Sequence, residues 1–171
     1  LEGRPYSLDD PRIWIDPYDR SRAGVNSYDL ALGSTLLTYR TFPLDTRCTN
    51  PVDFQEIPPA GLILEPGRLY LGQTVEYTET YGLVPMVEGR SSVARLGLQV
   101  HITGGFGDVG FCGRWTLELV ATHQIRVYPG DLLAQIFYQQ VTPTTRRYQG
   151  KYQNSQQVVP SLLHLDHPLT T

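Results

Sequence analysis

The sequence has 171 residues, of which 40% are hydrophobic and 18% charged, and its formal net charge is −3. This length is typical of one domain, and we expect residues 1–171 to form it. The composition excludes a disordered polyelectrolyte, and no apolar run approaches the roughly 18 residues of a transmembrane helix. The net negative charge argues against a broad nucleic-acid-binding surface. We therefore expect neither nucleic acid nor a membrane as a partner.

The predicted elements are mostly short strands, because 16 glycines and 13 prolines interrupt the chain at frequent intervals. In chain order, the patterns predict a short helix at 7–13 capped by Ser7 or Asp9, strands at 62–64 and 68–77, a short helix at 91–96, and strands at 98–102, 114–120, 124–128 and 132–141. In the strand at 68–77 most apolar residues share one parity. Strands at this frequency predict an all-β barrel or sandwich.

The last part of the chain, from about residue 144 to 171, differs from the rest. It is polar, contains scattered tyrosines and is poor in aliphatic residues. We predict a C-terminal arm on the surface. Composition alone favours a disordered tail, but Lys151 with Tyr148 and Tyr152 also suits a lid over a nucleotide.

The cysteines and histidines show no spacing typical of a metal site. Cys48 and Cys112 form no CxxC motif, and no histidine is spaced to complete a set with them. A structural zinc site needs about four nitrogen or sulfur ligands, so we predict no metal site in the protein. An unpaired, reduced pair of cysteines in a cytoplasmic protein is the expectation. We assign Cys48, Cys112 and Trp14 to structure.

The densest polar run is residues 88–97, in which Arg90, Ser91, Ser92 and Arg95 follow a glycine. The guanidinium group of arginine and the hydroxyl of serine donate hydrogen bonds that suit phosphate oxygens. A helical turn that starts at Ser91 adds backbone amides to this set. The pattern therefore predicts a phosphate cradle, with a helix bearing two surface arginines as the alternative.

A second candidate is the loop at 103–111, in which four glycines surround the single carboxylate of Asp108. Such a loop lets a ligand approach the backbone closely, and Asp108 then holds a hydroxyl or a water. The alternative is a hairpin loop in which Asp108 only forms an Asx turn.

A third candidate is Glu118, which lies in the middle of an apolar strand. If its face is buried, the carboxylate is paired or has a raised pKa suited to proton transfer. If its face is solvated, it has neither property, and strand alternation does not separate the two.

Together these runs resemble the dCTP deaminase branch of the dUTPase superfamily, over roughly residues 26–163. The matching runs are 26–33, 64–67, 71–76, the near-signature 89–97, 108–111 followed by Leu117-Glu118, and 151–154 of the arm. The resemblance implies a distorted dUTPase-like β-barrel with short helices and a C-terminal arm. It also implies a homotrimer with active sites between subunits, each closed by an arm.

The resemblance implies that dCTP is the substrate and that Mg²⁺ accompanies its triphosphate. Most nucleoside deaminases use zinc with H-x-E and P-C-x-x-C motifs, and the chain has neither, so a carboxylate does the proton work without zinc. Glu118 then moves the protons. Ser91 and the Gly104 carbonyl position the water, and Arg95 orients Glu118 and stabilises charge.

The other implied residues bind the substrate. Asp108 bonds the sugar 3′-hydroxyl and Phe111 stacks beneath the deoxyribose. Arg90 and Ser92 hold phosphates, and Lys151 and Gln156 close on them. Thr116, Gln135, Tyr148 and Tyr152 complete the predicted substrate-binding set. Gln135 has the alternative of a plain strand-surface residue.

The product depends on the branch of the family. The small-aromatic pair Gly105-Phe106 and Gln135 are nearer the bifunctional branch, which gives dUMP and pyrophosphate. The alternatives are a deaminase that releases dUTP, a dUTPase-like pyrophosphatase, and a non-catalytic module that binds a nucleotide such as dTTP. Two departures are that Gly107 stands where the family usually has Ile, and that 155–157 replace a Gln-x-Gly pattern.

Overall fold

The computed structural model describes residues 11–141 and 146–167. These residues form ten β-strands, one short α-helix, and two 3₁₀ helices at Arg20–Arg22 and Leu163–Asp166. The strands are β1 (Arg12–Asp16), β2 (Tyr28–Tyr39), β3 (Val52–Glu56), β4 (Leu62–Leu64), β5 (Leu69–Tyr81), β6 (Leu83–Gly89), β7 (Leu98–Val100), β8 (Cys112–Ala121), β9 (Ile125–Val127) and β10 (Leu132–Gln140). Helix α1 (Ser91–Arg95) connects β6 to β7. Within the described ranges, no helix has both the length and the apolar character needed to cross a bilayer.

The strands form a nearly closed antiparallel barrel. Its strand order is β6-β10-β2-β5-β8-β7, with β1 added to β5 and β3 to β2, while β4 and β9 pair separately. The two end strands approach each other, because a Cβ on Gly89 of β6 would lie 3.3 Å from Val100 Cβ of β7. The prediction of an all-β barrel is confirmed.

Most predicted elements are present with shifted ends. The helix at 91–96 is α1, and each of the predicted strands matches one of β4, β5 and β7–β10. The predicted helix at 7–13 is wrong at Arg12 and Ile13, which lie in β1; residues 7–10 are outside the described part. Arm residues 144–145 and 168–171 also lie outside the described residues.

Strand β5 buries its polar face. Thr74, Glu76, Thr78 and Thr80 are fully buried, whereas the alternate residues Gln73, Val75 and Tyr77 are only half-buried. Hydrogen bonds make this possible, since Thr74 Oγ1 accepts from the Trp115 N–H at 3.0 Å and Ala31 N–H donates to Glu76 Oε2 at 2.9 Å. A satisfied polar group costs far less to bury than an unpaired one.

Strand β8 alternates as its sequence predicts. Trp115, Leu117 and Leu119 are buried in the core, where they pack with leucines of β2. Thr116 and Glu118 point to the other side and are half-buried. This alternation places both polar side chains on the face that the C-terminal arm covers.

Candidate active site

A cavity of about 480 Å³ lies between β8, the loop at 104–108 and the arm segment at 148–161. Half of the predicted site residues line it: Gly104, Asp108, Phe111, Thr116, Glu118, Tyr148 and Tyr152. The cavity combines carboxylates with aromatic rings, a lining that suits a ligand with both a flat ring and hydroxyl groups. The structure therefore brings the predicted glycine-rich loop, the strand carboxylate and the arm to one place.

Glu118 contacts a histidine that the sequence did not single out. Nδ1 of His101 is hydrogen-bonded to Glu118 Oε2, and the His101 backbone N–H donates to the Glu118 carbonyl at 3.1 Å. The His101 side chain is 3% exposed and that of Glu118 is 38% exposed. Glu118 is thus a half-buried carboxylate that lines the cavity, and His101 is hydrogen-bonded to one of its two oxygens.

His101 comes directly after β7 and has a φ of 51°, which non-glycine residues rarely adopt. Its Nε2 atom is buried without a hydrogen-bond partner among the described residues. The spacing of the histidines in the sequence indicates no metal site and assigns no role to His101. The contact with Glu118 could have been found only from the pairing of β7 with β8. His101 directly follows β7, and the register of β7 on β8 places it beside Glu118.

The loop that carries Asp108 is held against β6. The Val87 N–H donates to the Gly105 carbonyl at 2.8 Å, and the Gly107 N–H donates to the Pro85 carbonyl at 2.9 Å. The loop then turns, and the Phe111 N–H donates to the Asp108 carbonyl at 3.1 Å. The exposed Asp108 therefore lies at the rim of the cavity, with the buried Phe111 ring below it.

The described part of the arm, residues 146–167, is bonded along β8. The Asn154 N–H donates to the Cys112 carbonyl at 2.7 Å, and the Arg114 N–H donates to the Ser155 carbonyl at 2.8 Å. Farther along, the Val159 N–H donates to Thr116 Oγ1 at 3.1 Å. Thr116 thus anchors the arm where it covers the cavity.

The tyrosines of the arm reach the cavity, whereas its other predicted residues do not line it. The Tyr148 ring lies 6.0 Å from the Phe111 ring, and Tyr152 accepts the Leu162 N–H at 3.0 Å. Lys151 is paired with Asp166. Gln156 is exposed, and Ser155 lines the cavity in its place.

The predicted phosphate cradle lies apart from this cavity, since Arg90, Ser91, Ser92, Arg95 and Gln135 are not among the residues that line it. Helix α1 exposes Ser91, Ser92 and Arg95. Arg90 is paired with Asp29 at 3.0 Å and donates to the Leu132 carbonyl at 3.0 Å. Gln135 is in register with Asp29 and with Glu88 of β6. The cradle residues therefore form a second polar surface of the same subunit.

The residues that the sequence assigns to structural roles differ in exposure. Cys48 is exposed, Cys112 is buried, and both are free thiols. Trp14, on β1, is 50% exposed. Across 11–141 and 146–167, no group of three or more histidine, cysteine or acidic side chains is arranged to hold a metal ion.

Comparison with known proteins gives concordant results. A family model described as dCTP deaminase-like matches residues 6–141. A protein of Leptospira biflexa named dCTP deaminase, dUMP-forming is 56% identical over 155 residues, which are 90% of this chain and 89% of that protein. A relative of the same name from Cytophaga hutchinsonii is 54% identical over 90% of both chains.

Among solved structures, a 2′-deoxycytidine 5′-triphosphate deaminase from Agrobacterium tumefaciens matches with a TM-score of 0.59. That match has 20% identity and covers 74% of this chain and 43% of that one. A dUTPase mutant from phage phi11 of S. aureus matches with a TM-score of 0.54 at 14% identity, over 81% of this chain and 97% of that one. At these identities the likeness concerns the fold alone, and it confirms the dUTPase-like barrel expected from the sequence.

Proposed function

Because this chain belongs to the dCTP deaminase-like family, we propose that it hydrolyses dCTP to dUMP in two steps. Water first replaces the amine at C4 of cytosine, giving dUTP and ammonia, and a second water then cleaves the triphosphate to dUMP and pyrophosphate. The observation that carries this proposal is the identity above 50%, over nine-tenths of the chain, with relatives named for this product.

Glu118 is the residue we assign to proton transfer. It takes a proton from the attacking water and delivers one to the departing ammonia, so that the carboxylate is regenerated. What supports this assignment is its place in the cavity, with the Gly104 backbone close by: a Cβ on Gly104 would lie 3.1 Å from Glu118 Oε2. The His101 contact supports it further, since it holds one carboxylate oxygen in place.

The substrate's sugar and phosphates are assigned to the loop and the arm. Asp108 accepts the 3′-hydroxyl, and Phe111 stacks beneath the deoxyribose. Tyr148 and Tyr152 line the closed cavity, and Thr116 acts through the arm that it anchors. Lys151 and Gln156 turn toward the phosphates of Mg²⁺-dCTP when the nucleotide binds, which requires Lys151 to leave Asp166.

We further propose a homotrimer in which each site takes residues from two subunits. Ser91 positions the water and Arg95 orients Glu118 of the neighbour, while Arg90, Ser92 and Gln135 hold phosphates. Supporting this, α1 exposes Ser91, Ser92 and Arg95, and none of the five residues lines the cavity of its own subunit. Nearby Leu96 and Ile102 are 61% and 59% exposed, as expected of residues that a neighbouring subunit covers.

We also propose that residues 1–171 form one domain and that the protein is cytoplasmic. The free thiols of Cys48 and Cys112 support a reducing compartment. Besides dCTP, we propose dUTP and dTTP as further ligands, acting as product or inhibitor, and the same assay measures the effect of each on turnover.

The test is incubation of the protein with dCTP and Mg²⁺, with dUTP, dUMP and pyrophosphate resolved by ion-exchange chromatography. We expect dUMP and pyrophosphate in equal amounts and little free dUTP. Accumulation of dUTP would show a deaminase only, and turnover of dUTP with inert dCTP would show a pyrophosphatase. Glu118→Gln is expected to bind dCTP but to release less than about 1% of the ammonia, the loss of a general acid–base group.

A further inference from the structure

Trp115 occupies a buried position on β8 from which it reaches the candidate active site. It is 7% exposed and lines the cavity. Its indole N–H donates to Thr78 Oγ1 at 2.9 Å, and its backbone N–H donates to Thr74 Oγ1 at 3.0 Å. Both threonines are fully buried on β5. The barrel interior therefore fixes the orientation of the indole ring.

The same ring contacts two residues of the site. It lies 4.7 Å from the Phe111 ring, at an interplanar angle of 51°. It also lies 6.5 Å from the His101 ring in an edge-on arrangement, and His101 in turn bonds Glu118. Trp115 thus packs between the Phe111 ring and His101, which is hydrogen-bonded to Glu118.

The third contact is with Gly107, directly before Asp108. A Cβ on Gly107 would lie 2.5 Å from Trp115 Cη2, and 2.9 Å from both Cγ and the carbonyl oxygen of Pro85. Real Cβ atoms essentially never approach other atoms this closely, so no larger residue fits without movement of the loop or the ring. Gly107 is held between the indole and β6, to which its N–H is bonded.

We propose that Trp115 is a positioning residue for the deamination reaction, because its ring sets the distance between the Asp108 loop and Glu118. This inference rests on the function proposed above. The ring has no reacting atom, and it acts through the Gly107 contact on one side and through Phe111 and His101 on the other. A smaller side chain leaves a void into which the loop settles, so that a nucleotide held by Asp108 no longer presents C4 to Glu118.

The test compares four variants with the wild-type protein: Trp115→Phe, Trp115→Ile, Gly107→Ala, and the double variant Trp115→Ile/Gly107→Ala. Trp14→Ile is the matched control, because it makes the same change at a half-exposed tryptophan that does not line the cavity. For each, kcat and KM for Mg²⁺-dCTP, the Kd for dCTP by calorimetry, and the midpoint of thermal unfolding are measured.

We expect Trp115→Ile and Gly107→Ala each to lower kcat/KM by about 100-fold, the cost of misplacing a substrate by roughly 1 Å. Trp115→Phe, which keeps a ring against Phe111, loses less. In the double variant, the alanine methyl partly fills the space of the missing ring. We therefore expect kcat/KM of the double variant to be at least tenfold higher than the value obtained by multiplying the two single losses. We expect kcat and KM of Trp14→Ile to match those of the wild type.

The proposal is overturned if Trp115→Phe and Trp115→Ile keep wild-type kcat and KM. It is equally overturned if the double variant shows only the product of the single losses, since the two positions then act independently. If Trp115→Ile does not fold, Trp115→Phe and Gly107→Ala decide the question in its place: wild-type kinetics in both would refute it.

These outcomes are separate from failure of the proposed function. A wild-type protein that binds dCTP without turnover refutes the deaminase assignment, while the Kd values still report whether Trp115 and Gly107 are coupled. Coupled Kd values then support the part of the proposal in which the Trp115 ring sets the position of the Asp108 loop for the bound nucleotide, and additive ones refute it. Absence of both turnover and dCTP binding in the wild type refutes both proposals.

Discussion

At the scale of single residues, the contact between His101 and Glu118 has the clearest consequence for activity. His101 is buried, and its backbone and side chain both bond to Glu118. Its φ of 51° is a conformation that asparagine tolerates better than most other residues. An asparagine at this position keeps a short polar group for Glu118, whereas an alanine removes it.

We therefore predict that His101→Ala lowers kcat for dCTP at least tenfold with a smaller change in KM, because the carboxylate loses its partner. His101→Asn is predicted to retain more of kcat than His101→Ala. Steady-state kinetics over a range of pH, with thermal unfolding as the check on folding, measure both variants. Equal loss in the two variants would mean that the imidazole has a role beyond holding Glu118.

Glu76 is a second buried carboxyl group, in the barrel interior. It is paired with Arg22 and accepts the Ala31 N–H, yet burial raises its pKa above the ordinary value of 4.5. The folded protein therefore binds this proton more tightly than the unfolded chain. Between pH 4.5 and the raised pKa of the folded state, the stabilisation that this proton provides falls as pH rises.

The raised pKa of Glu76 in the folded state makes the free energy of unfolding depend on pH. We predict that the unfolding free energy of the wild type falls, relative to that of Glu76→Gln, as pH rises from 4.5 through the raised pKa. Urea unfolding of both proteins at a series of pH values tests this. A constant difference across the series would show that Glu76 does not titrate in this window.

At the scale of elements, the arm and β8 form one unit around the cavity. Several hydrogen bonds tie the arm to β8, and one of them uses the Thr116 hydroxyl as the acceptor for Val159. The cavity face of β8 thus carries both Glu118, the candidate catalytic group, and Thr116, which binds the arm over the cavity. Closure of the cavity and proton transfer therefore depend on one strand.

We predict that Thr116→Val raises KM for dCTP about fivefold, since one neutral hydrogen bond contributes about 1 kcal/mol and its loss frees the arm. Thr116→Ser keeps the hydroxyl and is predicted to remain near wild type. Kinetics, together with the rate of proteolytic cleavage in the arm, distinguish the two. A wild-type KM for Thr116→Val would show that the arm is held without this bond.

At the scale of the whole molecule, the separation of α1 from the cavity is the dominant feature. Arg95 is exposed on α1, whereas Glu118 lies in the cavity on β8. If each site takes Arg95 from a neighbour, two inactive variants complement each other. Mixing inactive subunits is therefore a direct test of the shared site.

We predict that Arg95→Ala and Glu118→Gln are each nearly inactive, and that refolding them together in equal amounts restores about one quarter of the wild-type activity, the fraction of intact sites in random cyclic assemblies. Light scattering of the mixture after size exclusion gives the number of subunits. No recovery from a confirmed mixed oligomer would place Arg95 and Glu118 in the same subunit's site.

Much of the fold follows from local pattern. The alternation of Trp115, Leu117 and Leu119 with Thr116 and Glu118 specifies β8 and its two faces, because side chains alternate along any strand. The run at 91–95 forms its helical turn as expected. The order of motifs along the chain was enough to identify the family, since motif order does not depend on knowing which strands pair.

Tertiary structure decided which face of a strand is buried and which residues meet. The threonines of β5 lie inside the barrel because partners such as Trp115 supply their hydrogen bonds, and hydropathy alone does not reveal those partners. His101 reaches Glu118 through the register of β7 on β8, and Gly107 meets Trp115 through the path of a loop along β6. Pairing across long sequence distances depends on the energy of the whole barrel, whereas composition and alternation depend only on neighbours in the chain.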